Sequence, residues 1–359
     1  MSILFSPTGL GPLSLRNHLV MAPMTRSRAT GNVPNELMAE YYEQRSTAGL
    51  IITEGTSPSP NGLGYPRIPG VFSCAQTEGW KAVTGVVHGN GAKIFLQLMH
   101  CGRIAHPLNV PGGARILAPS AVAASGEMYT DNDGMQPYPV PEEMSEEDIK
   151  ATIEEYAQSA RSAFVAGFDG VELHGANGYL IEQFIRPNTN LRTDGYGGAI
   201  ENRARFMLET VEAMTDAIGR DRVGIRLSPF GVFNDMPLYE AMEAEYGYLA
   251  QELDKTGLAY IHLVDHSSMG APVVPDSIKK TFRSEFRGAL ILSGGYDVER
   301  AENDLAAGKC DLVAVGRPFL ANPDLVERWK TGALLNQPDM STAYSPGPKG
   351  YTDYPMLEE

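Results

Sequence analysis

The sequence predicts an α/β protein built as a single (β/α)8 TIM barrel over residues 1–359, with an N-terminal β-hairpin and a long loop after the third strand. Three observations carry this expectation. Eight short apolar or β-branched runs alternate with helical patterns from end to end, as βα units feeding a parallel sheet require. Polar residues gather at the ends of those runs, where barrel enzymes keep their sites. A length of 359 residues suits one large barrel, and no linker, low-complexity tract or solenoid repeat divides it.

The elements follow in order. Leu4 to Asn17 holds the turn-rich Pro7-Thr-Gly9-Leu-Gly11-Pro12 and is predicted as a hairpin that plugs the barrel bottom. The expected strands are His18 to Met24, Leu50 to Gly55, Lys93 to His100, Gly170 to Gly175, Arg222 to Pro229, Leu258 to Asp265, Ala289 to Gly295 and Leu312 to Gly316. The clearest helix runs from Ser145 to Gly167, because Ser145-Glu-Glu-Asp148 supplies an N-cap with an acid three residues on. Glu201 to Ile218 and Ala241 to Lys255 have similar patterns. Cys101 to Met144 is rich in Pro and Gly and longer than an ordinary connection, so it is expected to be an irregular lid or pocket wall.

Composition narrows the function. Twenty-nine basic against 44 acidic residues give a net charge of -15, which speaks against nucleic-acid backbones and anionic membrane surfaces as partners. The three cysteines, Cys74, Cys101 and Cys310, form no Cys-x-x-Cys pair and suggest neither a disulfide framework nor a metal site. No apolar run reaches membrane-spanning length, so a cytoplasmic enzyme is expected, as a monomer or homo-oligomer.

The most informative stretch is His174-Gly-Ala-Asn177-Gly-Tyr179, at the end of the strand-like run Phe168 to Leu173. His174 and Asn177 can both donate to one oxygen, which polarises a carbonyl or nitro group, and Tyr179 places a proton donor beside them. Gln97 and Arg226 interrupt the apolar strands Ile94-Phe-Leu-Gln97-Leu and Val223-Gly-Ile-Arg226-Leu. Burying an unpaired polar group there is costly, so both need a polar ligand. Gln97 offers an amide edge to such a ligand, and Arg226 a cation for negative charge on it. Gly294, Gly295, Gly316 and Arg317 fall after the last two strands, where barrels commonly bind a phosphate. Gly62-Leu-Gly64 has no Rossmann context, so no dinucleotide domain is expected.

Together with Ala22-Pro23-Met24-Thr25-Arg26, Gln97-Leu-Met99-His100, Arg192-Thr-Asp194-Gly-Tyr196 to Phe206, Val315-Gly316-Arg317-Pro318 and Gly350-Tyr351-Thr-Asp-Tyr354-Pro355, this order of blocks resembles the old yellow enzyme family from about Leu4 to Pro355. These are FMN-dependent ene-reductases, N-ethylmaleimide and pentaerythritol tetranitrate reductases among them. The resemblance implies FMN as cofactor and NAD(P)H as reductant, NADPH ahead of NADH. By the same resemblance Pro23, Met24, Thr25, Gly55, Gln97, His174, Arg226, Gly294, Gly295, Gly316 and Arg317 hold the flavin. Tyr65, Met99, His174, Asn177 and Tyr351 would line the substrate pocket, and Tyr179 would protonate the substrate. Three positions depart from common family residues: Asn177 where some members have a second His, Met99 where Trp is frequent, and Gly55 where Ala is frequent. The block from Arg192 to Phe206 is expected to pin the active-site loop through salt bridges.

The expected activity is reduction of activated C=C bonds in α,β-unsaturated carbonyls, maleimides and nitroalkenes, with nitro esters as a further class. A flavin-dependent dienoyl-CoA-type dehydrogenase is the alternative enzyme, and a flavin-binding module without turnover the alternative outside catalysis. Tyr179 beside the two oxygen donors argues against the module, which needs no proton donor.

Overall fold

The computed structural model describes residues 2–357. Eight parallel strands close into a barrel: β1 (Leu19–Met21), β2 (Leu50–Ile52), β3 (Lys93–Leu98), β4 (Gly170–Gly175), β5 (Val223–Leu227), β6 (Tyr260–Val264), β7 (Ala289–Ser293) and β8 (Leu312–Val315). Each pairs with its neighbours in sequence, and β8 pairs with β1 to close the ring. All eight expected strands are present, several ending earlier than expected.

Side chains on a strand alternate between its two faces, and here the alternation sorts the two apolar clusters. Val20, Leu50, Ile52, Phe95, Tyr260, Ile291, Leu312 and Ala314 fill the barrel interior together with Leu10 and Leu15. Those two leucines belong to the antiparallel hairpin Thr8–Leu10/Leu13–Leu15, which therefore plugs the bottom. The alternate residues, such as Leu19, Met21, Ile94, Leu96, Val171 and Ile225, face the surrounding helices. Gly224 makes room in the interior, since a Cβ there would lie 2.2 Å from the Tyr260 ring.

The helix Glu146–Val165 starts as its sequence requires. Ser145 accepts from the Asp148 amide, and the Asp148 carboxylate accepts from the Ser145 amide. The single helix expected from Glu201 to Ile218 is instead two, Ile200–Arg203 and Arg205–Ile218, joined at Ala204. Buried Arg203 lies at this joint and bonds the Gly198 and Ile185 carbonyls and the Glu245 carboxylate. Arg192 likewise pairs with Asp194 and bonds the Pro119 carbonyl, so the Arg192 to Phe206 block ties helices and loops together.

The stretch from Cys101 to Met144 is more ordered than expected. It contains an antiparallel hairpin, Glu127–Thr130 with Gly134–Pro137, and a short parallel pair, Leu117–Ala118 with Glu142–Glu143. Thr130 caps the hairpin turn from both sides, accepting from the Asp133 amide and donating to the Gly134 carbonyl. Nor does the stretch line the cavity described below: Ile104, Met128 and Tyr138 pack behind Met99, Tyr65 and Tyr179 and support them.

Candidate active site

The C-terminal ends of the strands open into a cavity of about 670 Å³. That volume falls in the range of small-molecule and cofactor sites. Its floor is polar because the last inward position of several strands carries a polar side chain: Gln97 on β3, His174 on β4, Arg226 on β5 and Ser293 on β7. His174 and Arg226 are direct neighbours in the β4–β5 register. Both are buried, and His174 Nδ1 and Arg226 Nε have no hydrogen-bond partner among the described residues. Orphaned donors are expensive inside a protein, so both atoms call for a ligand. Burial, with Arg226 next, pushes the His174 pKa well below its ordinary value, and the ring is neutral at physiological pH.

Asn177 is held in a left-handed conformation, φ 60°, by a bond on each side. Its amide donates to Ser228 Oγ at 2.9 Å, and its carbonyl accepts from Asn234 Nδ2 at 2.7 Å. His266 Nε2 donates to the Asn177 side-chain oxygen at 2.7 Å, which leaves the amide NH2 as the group free to face a ligand. Tyr179 begins the short helix Leu180–Ile185, with its ring edge-on to His174 at 5.0 Å between centroids. Its hydroxyl donates to the Tyr65 hydroxyl at 3.0 Å. Burial pushes the Tyr179 phenol above its usual range, so it is a protonated acid at neutral pH. His174, Asn177 and Tyr179 all line the cavity, while Tyr65 stands behind Tyr179 outside its wall.

Pro23, Met24 and Thr25 form one side of the cavity, and Gly294, Gly295, Gly316 and Arg317 another. Gly294 has φ 129°, and a Cβ there would sit 2.1 Å from the Asp265 carbonyl oxygen, so only glycine fits this turn. Arg317 is steered by two bonds from Nη2, to the Ser268 carbonyl at 3.0 Å and to Ser268 Oγ at 2.9 Å. In a chain of net charge -15, three arginines line the cavity, among them Arg226 in the floor and Arg317 at one end. A glycine-lined turn with an arginine suits a phosphate, and the floor suits a polar ring. These residues fit FMN.

Besides Tyr65, two expected positions lie elsewhere. Gly55 is beneath Met99: a Cβ on it would come within 2.5 Å of the Met99 sulfur. It makes space for that side chain and is absent from the cavity wall, so the two departures at Gly55 and Met99 are one packing solution. Tyr351 is fully buried, stacked on Tyr41 at 4.0 Å, with Arg26 and Arg28 over its ring. The tyrosine that reaches the cavity from the C-terminal segment is Tyr344. Arg26 and Arg28 hold that segment by its carbonyls, at Thr342, Ala343 and Gly350.

Residues 3–336 match the profile of the NADH:flavin oxidoreductase / NADH oxidase family. The chain belongs to this family, that of the old yellow enzymes. A probable flavin mononucleotide-dependent alkene reductase from Leishmania infantum is 41% identical, over 99% of this chain and 98% of that protein. Among solved structures, morphinone reductase in complex with tetrahydroNAD superposes with a TM-score of 0.94 at 47% identity, covering 99% of this chain and 98% of that one. The old yellow enzyme homologue from Zymomonas mobilis gives 0.94 at 40% identity, covering 99% of both chains. As an old yellow enzyme family member the chain is an FMN-dependent oxidoreductase, in the line of the alkene reductases.

Sequence reasoning about this family member missed the loop after β6, which brings Asp265, His266, Ser268 and Met269 to the cavity, and the segment Leu335 to Tyr344. His266 stood in Val264-Asp-His266-Ser-Ser, one more histidine just past a strand end, and that was the available signal. The C-terminal segment has no periodicity to place it, only the contacts of Arg26 and Arg28.

Proposed function

We propose that this protein uses FMN and NAD(P)H to reduce the C=C bond of α,β-unsaturated carbonyls, maleimides and nitroalkenes, and that it works in the cytoplasm. The observation that supports this most is the grouping of His174, Asn177 and Tyr179 on one cavity with Arg226, two orphaned buried donors included. Gln97, Arg226, Thr25, Gly294, Gly295, Gly316 and Arg317 would hold FMN, with Pro23 and Met24 against it. Bound FMN supplies two-electron chemistry, taking a hydride from the nicotinamide and giving one to the alkene.

The chain's own residues do the rest. His174, kept neutral by its burial, and the Asn177 amide fixed by His266 donate to the substrate's activating oxygen. The clamp strengthens as negative charge builds on that oxygen. Tyr179 delivers the proton to the α carbon when its hydroxyl turns from Tyr65 to the substrate; the Tyr65 hydroxyl, 3.0 Å away, can then reverse the bond and donate to it. Met99 and Tyr344 shape the substrate pocket. One cavity serves both reactants, so nicotinamide and alkene take turns.

The test is the purified protein's colour and its response to a phenol. It is expected to be yellow, to release one FMN per chain on denaturation, and to give a long-wavelength band with p-hydroxybenzaldehyde that weakens in His174→Ala and Asn177→Ala. Colourless protein that takes up no FMN contradicts the cofactor; an undiminished band in both variants contradicts the clamp.

A further inference from the structure

Beneath the cavity, four strands contribute a buried polar chain, and the reading above gives no role to two of its members, Glu172 and His262. Glu172 on β4 is completely buried, one turn of the strand's alternation below His174. Its Oε1 accepts from Gln97 Nε2 at 2.8 Å, and its Oε2 from His262 Nδ1 at 2.9 Å. The Ser293 hydroxyl then donates to His262 Nε2 at 3.0 Å. An ionised carboxylate only accepts, so its two bonds fix the donors around it. His262 must carry its proton on Nδ1 and accept at Nε2, and Gln97 must turn its NH2 toward Glu172, leaving its carbonyl oxygen for the cavity side.

The same carboxylate lies diagonally below Arg226: Glu172 pairs with Gly224 in the β4–β5 register, and Arg226 is the next inward residue of β5. The Arg226 guanidinium has its pKa lowered by burial, and the Glu172 charge is the leading influence that opposes this. A charged pair sharing one low-dielectric floor acts on any ring above it as a difference, since each charge offsets part of the other.

We infer that Glu172 is a positioning residue of the cofactor site: it orients the Gln97 amide toward the flavin and offsets Arg226, holding the flavin potential below the value Arg226 alone would set. The inference rests on the FMN reading above. A lower potential slows acceptance of hydride from the nicotinamide and favours its delivery to the alkene, so Glu172 divides the driving force between the two halves of the reaction.

The experiment is a dye-equilibrated anaerobic reduction of the FMN holoenzyme and of Glu172→Gln, which keeps the shape and removes the charge. The ratio of reduced to oxidised flavin at a fixed potential is expected to rise about tenfold, or about 30 mV for a two-electron couple. An unchanged or lowered potential in yellow Glu172→Gln protein overturns the inference while leaving the FMN reading intact. Should that variant fold poorly or lose FMN, the comparison moves to Arg226→Met against Glu172→Gln/Arg226→Met, the second of which carries neither buried charge. The potential must again rise on loss of the carboxylate, and no rise overturns the inference. A wild-type protein without FMN fails the cofactor reading itself, a separate result.

Discussion

Tyr179 offers the sharpest separation of roles at the scale of one residue. Its hydroxyl meets Tyr65 and lines the cavity, but a phenol acting as acid is needed only when the alkene is reduced. In Tyr179→Phe, flavin reduction by NADPH should change little, while oxidation by 2-cyclohexenone should slow by roughly 10²–10⁴-fold, the usual worth of a positioned general acid. A nitroalkene should suffer less, because its nitronate is stable enough to leave and take a proton from water. Stopped-flow traces of the two half-reactions check this, and equal slowing of both would remove Tyr179 from the role. The catalytic stretch was legible in the sequence because His174, Asn177 and Tyr179 are close in the chain and follow a strand. Tyr351 was misread for the opposite reason. Two tyrosines close in sequence, Tyr344 and Tyr351, compete for one position, and only the carbonyl contacts of Arg26 and Arg28 decide that Tyr344 faces the cavity.

Elements were legible wherever periodicity and capping agreed. The eight strands and the helix Glu146–Val165 follow directly from alternation and from the Ser145–Asp148 box. The hairpin Glu127–Thr130/Gly134–Pro137 is hard to see in the sequence because its strands are short and half exposed, and its Asp-Asn-Asp-Gly turn lies among many other loop-forming residues. At β7 the turn chemistry is strict. Gly294→Ala forces a Cβ against the Asp265 carbonyl at a positive φ. The variant is expected to fold with its barrel intact but to hold FMN at least tenfold more weakly, since the turn that faces the phosphate must shift by an ångström or so. Equilibrium dialysis with FMN measures it, and wild-type affinity would show that this turn is not the phosphate cradle.

The whole molecule carries an unusual set of buried neutral histidines. Burial lowers the pKa of His174 and His262, that of His100 to about 3 and that of His266 to about 4. The unfolded chain takes up these protons near pH 6.5, so the stability they contribute is complete above that pH and is lost as pH falls toward 4. Glu54 works in the other direction: burial raises it to about 7, and its contribution is present below about 4.5 and lost as pH rises through 7. Four lowered histidines outweigh the one raised carboxyl, so urea unfolding of the protein should show stability rising by on the order of a few kcal/mol from pH 4 to about pH 7. A flat profile over that range would mean that these rings are protonated in place.

All of this serves one claim, that the barrel passes electrons from a nicotinamide to an activated alkene through a single cavity. The measurement that meets it most directly is an anaerobic titration of the purified protein, first with NADPH or NADH and then with 2-cyclohexenone. The account predicts that the nicotinamide bleaches the flavin band and that one equivalent of enone restores it, giving one cyclohexanone per flavin. Bleached protein that stays bleached with 2-cyclohexenone, N-ethylmaleimide and nitrostyrene, and regains its colour only in air, would contradict it.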